Sequence, residues 1–414
     1  MCRGSLVAVA LFVALGLAAC TDQTEGISGL STSATTASTV SGHGGPFSVT
    51  IAASGDVLAH AAVTRDAQEN AGGSGYDFRP MFADVTPLIS AADLALCHME
   101  TPIAQTDTHL TVGGQLVFNT PHEMLEGVKS AGYDGCDFAS NHTWDQGLDG
   151  LKSTTAAFAD AGLGYGGPNP DPQQPEAVAR YHVHGITVAH LAYTYTILNS
   201  GGPSTETPPG APWLGAAMWP IQQAAGIIAA AHHARLAGAD VVVVSMHWGQ
   251  EYISTPTKDQ TTLAEALLGS SDIDLILGTH VHVVQPCQTR HDKLVFYGLG
   301  NSLSNQSSQV DSNLKPQTQD GMIATVTISR DATGEVTDSA TYQPTSVDLN
   351  GHVIRLATKP ATRQRGTGPS PRWRPWEVAP RCRQSKHPES IVVQVAEAAG
   401  DAAVEFRLGQ RRGP

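Results

Sequence analysis

The stretch DIDLILGTHVHVVQPCQ, residues 272–288, decides how the chain is expected to fold. Its apolar run DIDLIL reads as a buried strand, and His280 and His282 come directly after that strand. Two histidines in this position are either polar residues satisfied within the core or ligands of a metal ion. The choice between these readings depends on what the other strands of the chain carry at their ends.

Strand-like and helix-like segments alternate from about residue 46 onwards. The runs FSVTIAASGD and VVVVSMHWG predict strands, while PHEMLEGVKSAG and WPIQQAAGIIAAAHHARLAGAD predict helices. Pro121 suits a first helical turn, and Gly132 and Gly162 suit helix ends. The glycine-rich residues 162–167 are predicted to form a loop. This rhythm predicts an α/β fold with helices over a largely parallel sheet, and additional antiparallel strands towards the end.

The charge balance excludes one class of function. The 414 residues carry a formal net charge of −14, and about half of the Lys and Arg residues follow residue 350. Nucleic acid is therefore not an expected partner, because an acidic body lacks the basic surface that such binding needs. An anionic polymer could bind only through bound cations or a local basic pocket.

The N-terminus resembles a bacterial lipoprotein signal. Arg3 precedes the apolar run LVAVALFVALGLAAC, which is too short for a membrane span and ends in small residues before Cys20. This predicts a lipoprotein-type signal peptide at residues 1–20 that is cut directly before Cys20, lipidation of Cys20, and a flexible Ser/Thr/Gly tether at residues 21–45. The protein would then be extracytoplasmic and anchored to the bacterial membrane by lipid. An ordinary secretory signal followed by an accidental cysteine is the alternative.

The main domain is predicted to span residues 46–357. Two segments stand out in composition, one inside this domain and one after it. Residues 198–213, LNSGGPSTETPPGAPW, form a Pro/Gly-rich stretch long enough to be a lid or rim over a site. Residues 358–414 change abruptly to a basic, Pro- and Arg-rich tail, which is either disordered or a frame-shifted end. Cys97 and Cys136 lie in strand-like runs and are either neighbours or two separate buried thiols.

Polar residues able to bind metal follow the apolar part of five predicted strands. In a mostly parallel sheet the carboxyl ends of the strands lie along one edge, where ligand crevices form. The sequence therefore predicts that these side chains meet in one crevice. They are Asp56, Glu100, Asn141 with His142, His247, and His280 with His282.

The chemistry of this set indicates a divalent metal. Carboxylates, imidazoles and one amide suit Mn, Fe or Zn ions rather than a thiolate site, and there are enough ligands for one or two ions. Other histidines fit plainer roles, since His232 and His233 lie on an Ala-rich helix and His182 and His184 on the exposed side of a hairpin. The absence of a G-x-S-x-G motif weakens a serine hydrolase reading.

The motif series resembles the CapA family of bacterial capsule, or poly-γ-glutamate, synthesis proteins, which are similar to calcineurin-like metallophosphoesterases. The matching blocks include SGDVLAH, CHMETPIA, CDFASNHTWDQGLDG, HWGQEY and DLILGTHVHVVQP, within about residues 47–330. The resemblance implies a four-layer α-β-β-α sandwich of the metallophosphoesterase type. It also implies that the protein acts on a surface polymer or during the export of that polymer.

The resemblance also assigns roles to residues. It makes Asp56 and His282 ligands of one ion and Glu100 the bridging carboxylate. Asn141, His247 and His280 would bind the second ion. As the family's non-ligand histidine, His142 would protonate a leaving group or stabilise negative charge, and Asp145 would orient it.

The chain departs from the family pattern near the first ion. His98 stands where the family usually has Asn, so His98 could join the ligands. The more distant phosphoesterases use Asp-x-His in the first motif, whereas here Leu58 follows Asp56 by two positions and His60 by four. His60 and His98 are therefore additional candidate ligands, and a single-ion site is an open alternative.

Three functions fit these observations. The first is a lipid-anchored hydrolase-type protein acting on a phosphoester or on an anionic surface polymer such as poly-γ-glutamate. The second is a non-catalytic accessory of a membrane synthase complex, whose metal site serves structure or cation-bridged recognition. The third is a secreted metal-dependent phosphoesterase that scavenges nutrients.

Overall fold

The computed structural model describes residues 45–114 and 116–357. The predicted signal peptide with Cys20, the tether up to residue 44 and the tail from residue 358 lie outside the described residues. Within the described ranges, no helix has the length and apolar character needed to cross a membrane.

Most of the described chain is built from short strands joined by helices. The strands in chain order are β1 (Phe47–Val57), β2 (Leu94–Met99), β3 (Ile103–Ala104), β4 (Thr120–Pro121), β5 (Gly135–Asp137), β6 (Gly164–Pro168), β7 (Glu176–Ala177), β8 (Ala179–Val183), β9 (Ile186–Thr194), β10 (Val241–His247), β11 (Leu275–Thr279), β12 (Cys287–Arg290), β13 (Lys293–Phe296), β14 (Asn301–Leu303), β15 (Asp320–Arg330), β16 (Val336–Asp348) and β17 (Val353–Leu356).

The helices connect the strands and cover the sheets. They are α1 (Ala61–Asn70), α2 (Arg79–Phe82), α3 (Thr86–Ile89), α4 (Glu123–Ser130), α5 (Gly147–Ala161), α6 (Trp219–Leu236) and α7 (Lys258–Leu268), with 3-10 turns at Pro212–Ala217 and Pro316–Gln319. Helix α5 ends at Gly162 in the left-handed conformation (φ 65°), as the sequence predicts. Helix α7 begins with a capping box between Thr257 and Gln260.

Two sheets carry the fold. The nine-stranded sheet has the order β17-β16-β15-β1-β2-β5-β6-β7, with β14 also paired to β1. Its strands β1, β2, β5 and β6 are parallel, whereas β15, β16 and β17 are antiparallel. The six-stranded sheet has the order β12-β13-β11-β10-β9-β8, with four parallel inner strands and antiparallel strands at both edges.

Alternation along the strands separates the core into three layers of side chains, because successive residues of a strand face opposite sides of the sheet. In β10, Val243 packs between the two sheets, whereas Val242 packs with residues of α6 and α7. In β1, Ile51 faces the other sheet and Ala52 packs with residues of α1 and α4. Fully burying one such branched side chain contributes about 1.5–3 kcal/mol. Three core layers require four structural layers, so the predicted α-β-β-α sandwich is confirmed.

Some local predictions need correction and one alternative is settled. Pro121 lies in β4 rather than in a helix, because α4 begins only at Glu123. Residues 164–167, part of the predicted loop at 162–167, belong to strand β6 beside β5. Cys97 and Cys136 face each other on β2 and β5 and are joined by a disulfide, so they are neighbours rather than separate thiols.

Candidate metal centre

The predicted ligands meet where strands of both sheets end. Asp56 lies near the end of β1, in register with His98 of β2 and Asn301 of β14. His247 is the last residue of β10, and His280 follows β11 directly. Since both sheets contribute, the site forms only when the two sheets are packed together.

Gly55 lets β1 approach β14 closely enough to place Asp56. A Cβ atom at position 55 would overlap the carbonyl oxygen of Gly300. The backbone N–H of Asp56 donates to that same carbonyl over 3.0 Å. The small residue before Asp56 is therefore required by backbone contact, which the sequence pattern alone did not indicate.

One group of candidate ligands combines two carboxylates with an imidazole. Oδ2 of Asp56 lies 3.1 Å from Nδ1 of His282, and Oε1 of Glu100 lies 3.6 Å from Nε2 of the same ring. All three side chains are buried. The structure thus brings together the residues that the resemblance assigns to the first ion and its bridging carboxylate.

A second group shares Asp56 with two other imidazoles. The ligand atoms of Asp56, His98 and His247 lie within 4.8 Å of one another. Nε2 of His98 is 3.9 Å from Oδ1 of Asp56, and the His98 and His247 rings stack with centroids 4.7 Å apart. Oδ1 of Asn141 lies 2.8 Å from Nε2 of His247, so these two predicted ligands are also adjacent.

A third group includes a residue that the sequence analysis did not single out. Glu251 forms a group of three potential ligands with His280 and His282, and its Oε1 lies 3.9 Å from Nε2 of His282. The side chain of Glu251 is 45% exposed, whereas the histidines are buried, which places this carboxylate at the rim of the site. The quoted block HWGQEY contains Glu251 and was the signal available for finding it.

Buried polar atoms without partners show that the residues fit a cation. Both carboxylate oxygens of Glu100, Oδ2 of Asp56, Nε2 of His98 and Nδ1 of His280 are buried and make no hydrogen bond within the described part of the chain. Leaving such atoms unsatisfied costs about 1–3 kcal/mol each, and more for charged groups. A divalent cation satisfies acceptor atoms of this kind, and oxygen with imidazole donors suits Mn, Fe or Zn.

The carboxylates draw positive charge into the centre. Burial raises the pKa of Glu100 to about 7, although His282 acts in the opposite direction. Burial alone would lower the pKa of His282, but Glu100 and Asp56 outweigh it and raise that pKa to about 10. Either protons on the imidazoles or a metal cation can supply the charge that these carboxylates require.

Two histidines from the six-stranded sheet have pKa values that shift in the opposite direction from that of His282. Burial lowers the pKa of His247 well below its usual value, and the neighbouring imidazoles of His98 and His280 add to the effect. Burial likewise holds the pKa of His280 well below the usual range. Both rings are therefore neutral at physiological pH, which is the form that binds metal.

His142 and Asp145 form the predicted pair beside these groups. Nδ1 of His142 lies 2.9 Å from Oδ2 of Asp145, which also accepts the backbone N–H of Phe118 over 2.7 Å. The Phe118 ring meets the His142 ring edge to face at 4.7 Å. This arrangement fixes one ring nitrogen of His142 and its plane, and leaves Nε2 to act on a bound molecule.

His60 lies near the site but belongs to none of the three ligand groups described above. Its Nδ1 is 3.3 Å from the backbone nitrogen of Asn305, and its ring meets Phe118 at 5.4 Å. Burial lowers the pKa of His60 to about 4. The ring therefore packs along the wall of the site as a neutral group.

The stretch 198–213 touches the site through its second residue. Oδ1 of Asn199 accepts a hydrogen bond from Nδ2 of Asn141 over 2.8 Å. This contact turns Oδ1 of Asn141 towards His247. The predicted lid or rim thus contacts the site, and it orients a predicted ligand.

The backbone at GTHVH is held in an unusual conformation. His280 and His282 both have positive φ, at 87° and 56°, a region that non-glycine residues rarely adopt. Each such residue costs about 1–3 kcal/mol and persists where the surrounding structure enforces it, commonly at functional sites. The backbone N–H of His280 donates to Oδ1 of Asp56 over 3.2 Å, which ties the strained turn to the centre.

Comparison with known proteins gives a family. Residues 50–306 match the model described as "Bacterial capsule synthesis protein PGA_cap". The chain is 29% identical over 228 residues to the "Capsule biosynthesis protein CapA" of Bacillus anthracis, covering 55% of this chain and 54% of that protein. It is 26% identical over 281 residues to the "PGA biosynthesis protein CapA" of Bacillus subtilis (strain 168), covering 67% of this chain and 69% of that protein.

A solved structure is similar at lower identity. The calcineurin-like phosphoesterase YfkN of Bacillus subtilis is 11% identical, with a TM-score of 0.41, and the match covers 72% of this chain and 90% of that chain. The chain spans about half the length of the Bacillus anthracis relative.

Proposed function

This chain belongs to the bacterial capsule synthesis protein family PGA_cap, and from that premise we propose that it assists the synthesis or export of an anionic surface polymer through a divalent-metal, hydrolase-type site. Poly-γ-glutamate is the polymer that the family resemblance suggests. The protein acts outside the cytoplasm, held to the membrane by lipid on Cys20 and working beside a membrane synthase complex.

The set of unsatisfied acceptors around Asp56 is the observation that carries this proposal. Buried carboxylate oxygens of Asp56 and Glu100 face one imidazole from the other sheet, that of His282, at 3.1 and 3.6 Å, and these carboxylate oxygens make no hydrogen bond among the described residues. A purely structural cluster would pair these atoms with donors. This cluster is best suited to bind one or two ions of Mn, Fe or Zn.

Catalysis is divided between the metal and the chain. A bound divalent ion lowers the pKa of water and offsets negative charge on a phosphoryl or acyl oxygen. Oδ1 of Asn141 and Nε2 of His247 lie 2.8 Å apart, which is close enough for one ion to bind both atoms. Asp145 accepts a hydrogen bond from the N–H at Nδ1 of His142, so that the opposite nitrogen of the protonated His142 ring can donate a proton to a leaving group.

The acidic body explains how an anionic polymer could be accepted. With a net charge of −14, the chain repels polyanions over most of its surface. The cation at the centre provides local positive charge, so polymer binding depends on metal. A non-catalytic accessory would use the same cation as a bridge, and the names of the two Bacillus relatives, which refer to capsule and PGA biosynthesis, fit either role.

The test begins with metal content and turnover of the purified full chain. Metal content is measured by elemental analysis after loading with Mn²⁺, Fe²⁺ or Zn²⁺, and turnover on phosphodiester, phosphomonoester and γ-glutamyl substrates. Wild type is expected to bind metal, and Glu100→Ala and His280→Ala to lose it. His142→Ala should retain metal and lose turnover, while His232→Ala, at a side chain 55% exposed on α6, serves as the matched control.

Three outcomes separate the alternatives. Metal-dependent turnover that disappears in His142→Ala supports the hydrolase. Metal-dependent binding of poly-γ-glutamate without turnover supports the accessory role. Equal metal content in wild type, Glu100→Ala and His280→Ala contradicts the assigned site.

A further inference from the structure

We infer that His98 is a metal ligand of this centre and that Asp137, buried between the two sheets, is the residue that positions it. The inference rests on the proposed metal site and adds a ligand to it at the position where the family resemblance places Asn. It also gives a purpose to a carboxylate that no part of the proposed chemistry uses.

One nitrogen of the His98 ring is fixed. Nδ1 lies 2.6 Å from Oδ1 of Asp137, and the two residues are in register on neighbouring strands β2 and β5. Since an ionised carboxylate only accepts hydrogen bonds, Nδ1 carries a proton. In the neutral ring, Nε2 then has a free lone pair.

The other nitrogen points at the centre without a partner. His98 is 1% exposed, and its Nε2 makes no hydrogen bond within the described ranges. It lies 3.9 Å from Oδ1 of Asp56, which is itself an acceptor. Two donors bound to one ion through bonds of about 2.1 Å are at most about 4.2 Å apart, so this separation suits a shared cation.

Asp137 is held from the opposite sheet. Its Oδ2 lies 3.9 Å from Nε2 of His190, which is 2.7 Å from Oγ of Ser245 on β10. All of these side chains are buried in the space between the sheets. A charged carboxylate is expensive there, and apolar residues would pack the space at no such cost. A carboxylate that orients a ligating histidine is a recurrent arrangement in metal sites.

His98→Asn is the decisive variant. The Asn amide nitrogen falls near the position of Nδ1 and can still donate to Asp137, while the atom proposed to bind metal is removed. We expect metal affinity, measured by titration calorimetry with Mn²⁺ and Zn²⁺, to fall by at least the roughly 10–100-fold typical for loss of an orienting residue. The visible absorption spectrum of the Co²⁺-loaded protein should change as well, because the spectrum reports on the ligand set.

Asp137→Asn tests the positioning role separately. His98 remains able to bind, but its orientation is no longer fixed by a carboxylate, so affinity should fall by about 10–100-fold with the ion stoichiometry retained. Should His98→Asn fail to fold in a thermal melt, Asp137→Asn carries the test. His352→Asn is the matched control, since it makes the same change at a buried histidine that also faces a carboxylate, Asp66, over 2.6 Å but belongs to none of the ligand groups of the described residues.

The outcomes distinguish this inference from the proposed function. Unchanged affinity and cobalt spectrum in His98→Asn would overturn the inference, and so would an equal loss in His352→Asn, which would indicate general disturbance. A wild-type chain that binds no Mn²⁺, Zn²⁺ or Co²⁺ would instead overturn the proposed metal site itself.

Discussion

Each oxygen of Asp56 faces a different imidazole. Oδ1 lies 3.9 Å from His98, and Oδ2 lies 3.1 Å from His282. Asp56 therefore belongs to two groups of candidate ligands, whereas Glu100 belongs to one. The family resemblance gives the shared role to Glu100, and this geometry makes Asp56 an equally direct candidate for bridging two ions.

The candidate ligands could be predicted from the sequence because each follows a recognisable apolar run. Asp56, Glu100 and His247 stand where strands end, and parallel strands bring their ends together. Asp137 and His190 could not be predicted in this way. Their partners depend on the register of strands and on how one sheet packs on the other, which spacing along the chain does not encode.

Asp145→Asn tests the positioning of His142. Oδ2 of Asp145 accepts from both the His142 ring and the Phe118 backbone, and an amide oxygen in its place carries no negative charge, so both hydrogen bonds become weaker. We expect the free energy of unfolding to fall by about 1–3 kcal/mol. Turnover of a substrate identified by screening should fall as well, while metal content stays at the wild-type level.

Thermal melts and metal analysis check this prediction. Asp149→Asn, four residues along the chain at a side chain 98% exposed, is the matched control and should change neither quantity. Wild-type stability and turnover in Asp145→Asn would show that the contact has no such role.

At the scale of single elements, glycine and proline residues explain both the successes and the errors of sequence-based prediction. Gly162 ends α5 because a left-handed residue suits glycine, and this was predictable. Pro121 also suits a helix start, yet it lies in β4 paired with β3, because tertiary contact outweighs a local preference. Residues 164–168 lack β-branched side chains, and only pairing with β5 makes them a strand.

Gly55→Ala tests the approach of β1 to β14. The added methyl group would overlap the carbonyl oxygen of Gly300, so one strand must move and Asp56 must move with it. Such overpacking costs about 1–3 kcal/mol or more. We therefore expect a lower melting temperature together with weaker binding of Mn²⁺ or Zn²⁺.

Gly201→Ala provides the comparison, since a Cβ atom there meets no atom within 4 Å. That variant should match wild type in both melting temperature and metal affinity. Wild-type metal binding in Gly55→Ala would show that the position of Asp56 does not depend on this close contact.

At the scale of the whole molecule, three carboxyl groups outside the metal ligand groups share one property. Burial raises the pKa of Glu176, of Asp320 and of Asp338 to about 7. Carboxyl groups in unfolded chains have pKa values of about 4. Between these values the folded chain holds more protons than the unfolded chain, so stability is highest at low pH in this window and falls as pH rises from about 4 to 7.

Asp320→Asn should remove part of the stability that the folded chain loses as pH rises. We expect the variant to melt at a higher temperature than wild type at pH 8, where the wild-type carboxylate is ionised, and to differ little at pH 5. Melting curves at the two pH values check the prediction, with exposed Asp149→Asn as the control. The same difference at both pH values would contradict the assigned titration.

The overall architecture was predictable because alternation of strands and helices along the chain is sufficient to indicate an α/β fold. The three layers of core side chains follow from the two-residue period of the strands. The packing of one sheet on the other could not be predicted from the sequence, and neither could the contact of Asn199 with Asn141.

Because candidate ligands come from both sheets, an ion bound at the centre joins the two halves of the sandwich. The unfolded chain holds no such cluster, so occupancy stabilises only the folded state, by about 2.7 kcal/mol when free metal is a hundred times its dissociation constant. The lifetime of this protein would thus follow the metal supply of its surroundings. Where that metal is scarce, a larger fraction of the chain would be unfolded, and its degradation by proteases would rise.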